Sequence, residues 1–524
     1  MATALAGKDK IKVMYVRPPA HLWPIINESD NFLPPLNFPS LAAYIRRESK
    51  GVEQQIVDCM PHKIGWKSLR AIMEREKPDI VGVGDMIIYA HEGMRVLQMA
   101  KEINPNCVTL AGGVFHSHMP EHTLTKYPQA DVIVRYEGEV TTKELYDALR
   151  EGRDLATVKG LAFRDAGNSV VQTPPRPLVE DLDSLPIPAY DMIPIEKYAP
   201  FGMLWPKAIT VQASRGCPYI CDFCTWSATE GERSVDAAGN LNFRPRVRIK
   251  SPQRMVQEVA MLYEKYGIRY LFWVDATWNY DVKWLDEFCS ELIDRKYKLG
   301  WWAFVRADLM LKQEEAGVLE KMVKAGLRHC LFGAERSDAA GMAEVGKDKI
   351  AADHFLQASH LLERKYPQVF RQACFLVGVP SETPGSLAAL SQYVRDTHVD
   401  FPAIHPIMPY PGTPAFEKFK PYVEEWDFSK WDMFVPVIKP KEMTRDQVSE
   451  LAKNINLDFI QKQPLRYIKG LFSRHKIRRR LYWWFLFAIG RVVGRDLLLA
   501  ILGKKKFEGF GAVNRLWKPS WYDK

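Results

Sequence analysis

Two blocks of alternating strand and helix patterns constrain the fold of this chain more than any other feature. In the first block, residues 1–150, short apolar runs such as 12–19 and 107–113 are separated by amphipathic helical patterns. The second block begins at AITVQAS (208–214) and contains six strand-helix units. Such alternation produces parallel sheets that helices cover on both faces. We therefore predict an α/β protein, with a doubly wound, Rossmann-like domain in 1–150 and a partial (β/α)6 barrel in 201–420.

The remaining segments differ in composition. Residues 151–200 are rich in proline and predict an extended linker. Residues 421–524 predict an aromatic-rich helical region, and Lys462 to Lys506 contain 13 Lys or Arg and one acid, Asp496. A basic amphipathic stretch of this kind is typical of binding to a membrane surface. The alternative is a helix packed on the barrel whose basic face is merely solvated.

Composition restricts the setting of the protein. The chain has 524 residues and only 8 scattered cysteines, which indicates a reducing compartment rather than a disulfide framework. The first residues lack a signal-peptide pattern, and the longest apolar run, 481–490, ends at Arg491. We expect a cytoplasmic protein with possible peripheral contact at the inner membrane face. Nucleic acid is not an expected partner, because no recognition motif accompanies the net charge of +9.

Three cysteines form the most informative motif. Cys217, Cys221 and Cys224 make a C-x3-C-x2-C array directly after the first strand pattern of the second block. A structural zinc site takes four ligands, and no fourth cysteine or histidine lies nearby. Three thiolates can instead hold three irons of a four-iron four-sulfur (4Fe-4S) cluster and leave the fourth iron open. Carboxyl ends of barrel strands are where barrel enzymes gather their chemistry.

This motif after the first strand of a partial barrel resembles the radical S-adenosylmethionine (SAM) superfamily. The resemblance implies that the open iron binds SAM through its amino and carboxylate groups. Reduction of the cluster then cleaves SAM to a 5′-deoxyadenosyl radical. The resemblance also assigns candidate SAM contacts, which are Phe223 near the adenine, Arg306 at the carboxylate, Gly333 and Glu335 after the fourth strand, and Gly378 and Val379 after the fifth.

Some positions depart from the superfamily pattern or allow another interpretation. Many members have a GGEP-like turn after the second strand, where this chain has VDATW. Asp275 and Thr277 are the candidates to accept from the SAM amino group there. Glu335 is alternatively a surface partner of Arg336, and Gly378 alternatively opens a loop. Four tryptophans near strand ends are candidates either to stack on a flat macrocycle or to pack in the core: Trp273, Trp278, Trp301 and Trp302.

A doubly wound domain ahead of such a barrel resembles the cobalamin-binding subgroup. The matching stretches are VGVGD (81–85), AGG (111–113) and RYEGE (135–139). The resemblance implies bound cobalamin, with Gly112 and Gly113 allowing the backbone to approach the corrin or its nucleotide tail. A domain that has lost the cofactor and serves as a substrate lid is the alternative.

The sequence lacks the D-x-H-x-x-G motif that supplies a cobalt ligand in many cobalamin proteins. The nearest segment, DCMPHKIG (58–65), is one residue too long and follows another strand, so His62 is interpreted as a surface residue. His116 and His118 lie beside the double glycine and are candidates either to approach the corrin or to support turns. We predict a cobalt without a lower histidine ligand.

Longer stretches resemble the anaerobic magnesium-protoporphyrin IX monomethyl ester oxidative cyclase family. They include KGLAFRD (159–165), PRPLVEDLDSLP (175–186), PYPGTP (409–414) and FVPVIKPKEMTRDQ (434–447). Members close the fifth ring of bacteriochlorophyll precursors without oxygen, taking the keto oxygen from water. The resemblance implies a 4Fe-4S cluster, SAM and cobalamin as cofactors, a tetrapyrrole substrate, and a reductant such as flavodoxin or ferredoxin. The alternatives are a cobalamin-dependent radical SAM C-methyltransferase acting on a lipid, hopanoid or tetrapyrrole, and a non-catalytic cobalamin or redox sensor.

Overall fold

The computed structural model describes residues 5–20, 33–84, 87–198, 207–235, 241–347, 352–504, 506 and 518–524. The chain forms two compact units. The first comprises Met1–Tyr198 and Arg491–Lys524, and the second comprises Ala199–Gly490.

A seven-stranded sheet organises the first unit, in the order β2-β1-β3-β4-β5-β6-β7. The strands are β1 Ile11–Arg17, β2 Val52–Asp58, β3 Ile80–Gly84, β4 Val108–Gly112, β5 Val132–Val134, β6 Leu161–Arg164 and β7 Val170–Gln172. The first five strands pair in parallel, whereas β6 and β7 are antiparallel additions at one edge. The strand order reverses between β1 and β3, which is where doubly wound domains bind ligands outside the carboxyl ends of the strands.

Helices pack on both faces of this sheet because its strands are apolar on both sides. In β1, Met14 and Val16 face the core beneath α3 and α4, while Tyr15 stacks on Phe38 of α1 with ring centroids 5.5 Å apart. The helices of this part of the chain are α1 Asn37–Glu48, α2 Cys59–His62, α3 Trp66–Glu76, α4 Ile87–Ile103, α5 Val114–His118, α6 Pro120–Lys126 and α7 Glu139–Glu151.

The first unit extends beyond the predicted domain, 1–150, in two places. Strands β6 and β7 occupy part of the predicted linker, because the apolar residues of LAFR pair with β5 and β7 before the proline-rich stretch begins. Residues 518–524, predicted to belong to a separate C-terminal region, also join this unit. The amide of Trp66 donates to the carbonyl of Tyr522 at 3.1 Å, and the two rings meet edge to face.

A six-stranded parallel sheet organises the second unit, and its strands follow one another in chain order. They are β8 Ala208–Val211, β13 Tyr270–Trp273, β14 Gly300–Val305, β15 Leu327–Glu335, β16 Phe370–Val377 and β17 Phe401–Pro406. Two short antiparallel pairs interrupt the series after β8, formed by β9 Ser214–Cys217 with β12 Arg246–Ile249 and by β10 Glu232–Val235 with β11 Leu241–Arg244. This is the arrangement of the predicted partial (β/α)6 barrel.

Helices follow the strands of the barrel and continue into the C-terminal region. They are α8 Thr225–Glu230, α9 Pro252–Glu264, α10 Val282–Asp294, α11 Ala307–Glu315, α12 Val318–Ala325, α13 Ala339–Glu344, α14 Ala352–Lys365, α15 Pro384–Asp396, α16 Pro414–Phe419, α17 Arg445–Gln461, α18 Pro464–Leu471 and α19 Lys476–Ile501. Several begin at side-chain caps. Thr444, for example, forms a capping box with Gln447 at the start of α17.

The base of the barrel is closed by α18 and the first half of α19. Their inner side chains, which include Tyr467, Leu481 and Tyr482, pack against residues at the amino ends of the strands, such as Tyr270 and Phe370. The carboxyl ends of the same strands carry the cysteine motif. No helix in the described ranges is both long enough and apolar enough to cross a membrane.

Candidate functional site

The cysteine loop runs from the end of β9 to the start of α8. Cys217 is the last residue of β9, Cys224 immediately precedes α8, and none of the three thiols of the motif is in a disulfide. Gly216 has a φ of +89°, and a Cβ there would overlap the carbonyl oxygen of Arg246 on β12. Only glycine fits this turn, so the residue before Cys217 is fixed by the backbone geometry.

Hydrogen bonds hold the loop on two sides. On the side of α8, the Gly216 amide donates to Glu230 at 2.6 Å and the Ser227 hydroxyl donates to the carbonyl of Tyr219 at 2.8 Å. From the rest of the barrel, the Asp222 carboxylate accepts from Lys418 at 2.9 Å. The three thiols are therefore presented by a braced segment.

The chemistry of the thiols fits an iron–sulfur cluster. Burial raises the pKa of Cys221 to about 11, and burial together with the neighbouring Cys221 and Cys217 raises that of Cys224 to about 12. With pKa values this high, loading a metal must displace protons from these thiols. No three His, Cys, Asp or Glu side chains in the described ranges converge as they would on one metal ion. A cluster imposes no such convergence, because each thiolate binds a different iron.

The predicted SAM ligand Asp275 braces the cysteine loop. Its buried carboxylate accepts from the Ala213 amide at 3.1 Å, the Ser214 amide at 2.5 Å and the Ser214 hydroxyl at 2.6 Å. Burial raises the pKa of Asp275 to about 6, and these hydrogen bonds oppose the rise. Thr277 lies beside the motif itself, with its hydroxyl 3.4 Å from the Cys217 sulfur. The VDATW turn thus supports the segment that leads into Cys217.

We expect Asp275→Asn to lower the iron content of the protein. The fraction that still carries a cluster should bind SAM with little change in affinity. An asparagine has one acceptor oxygen and turns its amide protons toward groups that also donate. Losing a buried charge-assisted hydrogen bond costs about 1.5–3 kcal/mol. Iron per chain, thermal unfolding and SAM binding by the cluster-loaded fraction measure the effect.

Asp286→Asn is the matched control for this experiment, because Asp286 forms a surface ion pair with Lys321. Full iron content and unchanged unfolding in Asp275→Asn, together with tenfold weaker SAM binding, would instead support the direct SAM contact that the sequence suggests.

Glu335 lies at a distorted strand end next to the motif. It has a φ of +60°, and the pairing of β15 with β16 shifts register between Gly333 and Glu335. The Lys347 ammonium donates to the buried Glu335 carboxylate at 2.8 Å and to the Gly333 carbonyl at 2.7 Å. Burial would lower the pKa of Lys347, but Glu335 and Cys221 raise it above its ordinary value.

The alternative interpretation of Glu335 as a surface partner of Arg336 is wrong. Arg336 is buried, and its guanidinium donates to Glu382 at 2.6 and 2.8 Å. Glu382 also accepts from the amide of Gly378 at 3.0 Å. Gly378 has a φ of +78°, so it makes the turn after β16, and Val379 beside it is fully buried.

Arg306 is brought to the cysteine loop by the end of β14. Its guanidinium lies 3.3 Å from the centre of the Tyr219 ring, within the motif, and pairs with Asp308 at 3.1 Å. Phe223, between the second and third cysteines, is half-buried. Contact of Arg306 and Phe223 with SAM stays a prediction.

The four tryptophans near strand ends belong to the core. Trp273, Trp278, Trp301 and Trp302 are all buried, and the Trp273, Trp278 and Trp301 rings pack in a chain with centroids 5.5 and 5.6 Å apart. The interpretation as stacking platforms for a macrocycle is therefore wrong for this conformation.

In the first unit, the double glycine lies at the carboxyl edge of the sheet. Gly112 ends β4, and a Cβ there would lie 3.4 Å from the carbonyl oxygen of Val134 on β5. Gly113 has a φ of +89° and starts the turn into α5. This edge, bare of side chains at two consecutive positions, fits the close approach of a large cofactor. Asp85 of the VGVGD stretch lies outside the described residues.

The histidines of this unit have different environments. His62 is exposed at the end of α2, as predicted. His116 is fully buried, with Nδ1 3.0 Å from the Thr123 hydroxyl, and burial lowers its pKa to about 3. The structure therefore gives His116 a role in packing the α5–α6 turn. His118 is half-buried, with its ring edge on to Tyr136.

Sequence reasoning missed Lys347, Tyr219 and Glu382. Their partners are distant in sequence or follow an irregular turn, and neither a buried lysine nor a buried glutamate has a local sequence signature. The cation–π contact of Arg306 with Tyr219 depends on how the loop folds back over the end of β14.

Comparisons with known proteins agree with this geometry. The B12 binding domain family matches residues 22–146. An anaerobic magnesium-protoporphyrin IX monomethyl ester cyclase from Rubrivivax gelatinosus is 30% identical over 452 residues, covering 85% of this chain and 77% of that protein. An uncharacterized methyltransferase from Pyrococcus horikoshii is 29% identical over 448 residues, covering 84% of this chain and 91% of that protein.

Solved structures share the fold. The cobalamin-dependent S-adenosylmethionine radical enzyme OxsB, with aqua-cobalamin and SAM bound, superposes with a TM-score of 0.67 at 15% identity, covering 95% of this chain and 74% of that one. The radical SAM methyltransferase TsrM from Kitasatospora setae gives a TM-score of 0.60 at 17% identity, covering 79% and 76% of the two chains. With its B12 binding domain, its cysteine loop and a relative similar over most of both chains, this chain belongs to the family of cobalamin-dependent radical SAM enzymes, which use a 4Fe-4S cluster, SAM and cobalamin.

Proposed function

We propose that this enzyme is an anaerobic oxidative cyclase that closes the isocyclic ring of magnesium-protoporphyrin IX monomethyl ester. The observation that carries the proposal is the 30% identity to a named cyclase across 85% of the chain, a span that includes both units. Two further cyclases, from Cereibacter sphaeroides and Synechocystis, match 82% and 81% of the chain.

The bond to be broken explains why such a site is needed. A propionate carbon of the substrate has neither an acidic proton nor a leaving group, so side-chain acids and bases cannot activate it at neutral pH. With its cofactors bound, the site supplies a 5′-deoxyadenosyl radical, which abstracts hydrogen from such a carbon. The keto oxygen of the closed ring then comes from water.

The chain's own residues hold and orient these groups. We assign Cys217, Cys221 and Cys224 to the cluster, and Gly112 and Gly113 to the approach of cobalamin. For SAM we assign Phe223, Gly378 and Val379 to the adenine side, Arg306 to the carboxylate, and Thr277, Gly333 and Glu335 to the remaining contacts. Lys347 has the role of holding the Glu335 carboxylate in place at the distorted end of β15.

We also propose the surroundings in which this enzyme works. An external one-electron donor such as flavodoxin or ferredoxin reduces the cluster. The location is cytoplasmic, with peripheral contact at the inner membrane face, which suits a hydrophobic substrate.

The second candidate is a cobalamin-dependent C-methyltransferase. It is favoured by the Pyrococcus relative, which this chain covers over 91% of its length, and by a bacteriochlorophyllide d C-12(1)-methyltransferase that is 23% identical over 292 residues. The two candidates share the cofactors, and both form 5′-deoxyadenosine from SAM. Only the methyltransferase also forms S-adenosylhomocysteine.

One anaerobic assay separates the two reactions. The reconstituted protein is given cobalamin, a reductant, methyl-labelled SAM and magnesium-protoporphyrin IX monomethyl ester in oxygen-18 water. We expect 5′-deoxyadenosine, a ring-closed pigment carrying oxygen-18, and no S-adenosylhomocysteine above the level of the Cys224→Ser protein.

Formation of S-adenosylhomocysteine together with labelled pigment would identify a methyltransferase. Absence of 5′-deoxyadenosine from protein with a full complement of iron would contradict catalysis on this substrate and favour a sensor.

A further inference from the structure

The turn between α18 and α19 exposes an unusual amount of apolar surface. Leu465 and Ile468 on α18 and Phe472 directly after it follow one another at helical spacing and are 68, 51 and 76% exposed. On α19, Trp483, Leu486 and Phe487 form a second stripe and are 39, 49 and 66% exposed. We call these six residues the α18–α19 corner.

The two stripes form one surface. The Trp483 indole donates to the carbonyl of Leu471, the last residue of α18, at 3.0 Å. Its ring lies 6.3 Å from that of Phe487, one turn further along α19. Trp483 therefore joins the apolar stripe of α19 to the end of α18, next to Phe472.

The exposed face is not the face that holds these helices on the barrel. The inner side chains Leu481 and Tyr482 are buried, and Arg478 and Tyr482 both donate to the buried Asp400. The helices are thus fully docked while the corner faces outward. A soluble helix normally places its charged residues on that outer side.

The Lys and Arg residues in the segment around the corner are not balanced by acidic residues. Residues 462–490 contain eight Lys or Arg and no Asp or Glu. Arg466 and Arg478 are committed to Glu363 and Asp400. Lys469, Arg474 and Lys476 are exposed on or between the two helices. Apolar and aromatic residues rimmed by cations are the composition that lies in the headgroup region of an anionic bilayer.

We infer that the α18–α19 corner docks the enzyme reversibly on anionic lipid bilayers. Phe472, Trp483 and Phe487 would insert at the boundary between headgroups and acyl chains, while the exposed cations meet lipid phosphates. Because the corner lies at the amino ends of the barrel strands, the cysteine loop is at the other end of the barrel, away from the lipid. The contact is an anchor, and it holds whichever reaction the site catalyses.

The test is sedimentation of the full-length, cluster-loaded protein with vesicles. We expect the protein to bind phosphatidylcholine vesicles that contain phosphatidylglycerol at least about tenfold more tightly than vesicles of phosphatidylcholine alone. Binding to the mixed vesicles should weaken as the salt concentration is raised. Replacing Phe472 and Phe487 together with glutamine is expected to weaken binding to the mixed vesicles at least tenfold, since both rings contact mainly solvent in the free protein. Reversing Lys469 and Lys476 to glutamate should weaken it at least as much and reduce its salt dependence.

Val435→Gln is the matched control, because Val435 is an apolar residue of the second unit that is 42% exposed outside the corner. Formation of 5′-deoxyadenosine without vesicles should be unchanged in every variant, so a failed anchor is distinguishable from a failed reaction. Equal binding to neutral and anionic vesicles, or none to either, would overturn the inference. So would a dimer, seen by light scattering, that the Phe472 and Phe487 replacements dissociate, because the corner would then join two copies of the chain.

Discussion

Replacing Cys224 with serine is expected to reduce 5′-deoxyadenosine formation to the level of a protein-free control. The thiol lies in the cysteine loop immediately before α8, and in the proposed assignment it is one of three protein ligands of the cluster. A serine hydroxyl is a poor ligand for iron in such a cluster, since the clusters are held by thiolates. Iron and sulfide per chain, the visible absorption of the cluster and the nucleoside product, quantified by mass spectrometry, should fall together.

The chain offers a matched cysteine for this experiment. Cys289 on α10 is fully buried in the same unit and lies outside the motif. Cys289→Ala should cost about 1 kcal/mol of stability through a small cavity and keep full iron content. If Cys224→Ser retained iron and product while Cys289→Ala lost them, the assignment of the motif would be wrong.

Replacing Asp400 with alanine is expected to destabilise the second unit by about 3–5 kcal/mol, the cost of breaking a buried charge cluster by removing one partner. The carboxylate accepts from the Arg371 amide at 2.8 Å, from the Arg478 guanidinium at 2.5 Å and from the Tyr482 hydroxyl at 2.7 Å. Its removal leaves Arg371 and Arg478 without the buried carboxylate that they share. A denaturant titration, followed through the near-ultraviolet signal of the buried tryptophans, measures the loss.

The pH dependence follows from the same contacts. Burial alone would raise the pKa of Asp400, but Arg371 and Arg478 hold it well below its usual range. The carboxylate therefore stabilises the fold fully above its unfolded-state pKa of about 3.9, and this contribution is lost only as the pH falls toward the folded-state pKa. The difference between wild type and Asp400→Ala should be constant at neutral pH and should narrow in strong acid.

Asp396→Asn is the control for the second prediction. Asp396 is exposed on α15 and accepts from Gln392 one turn earlier, so its removal should change stability by no more than about 0.5 kcal/mol. An Asp400→Ala protein as stable as Asp396→Asn would show that the arginines find other partners and that the carboxylate does not secure α19.

The strands of both sheets were predictable because each is a run of β-branched and aromatic residues bounded by turns. Strands β6 and β7 were not, because segments of four and three residues are too short for a pattern and their pairing depends on β5. The attachment of Tyr522 to the first unit also has no local signature.

In the candidate site, too, some features can be read from the sequence and others depend on the folded structure. The cysteine triad is a contiguous motif that the sequence displays directly, and its assignment to a cluster, which the family resemblance implies, stays a prediction. The partner of Asp275 is Ser214, 61 positions earlier, so the contact depends on how β8 and β13 align. The ion pair of Glu335 with Lys347 requires the register shift in β15, which no pattern of apolar residues encodes. The tryptophans were ambiguous because large aromatic residues serve equally as core and as binding surface.

The attachment of residues 518–524 to the first unit bears on how the protein is made. The amides of Trp66 and Lys67, at the start of α3, donate to the carbonyls of Tyr522 and Lys524. Ribosomes deliver a chain from its amino end, so the first sheet emerges early but lacks this part of its surroundings until the whole barrel has been synthesised. Completion of the first unit is thus a step that follows synthesis of the barrel.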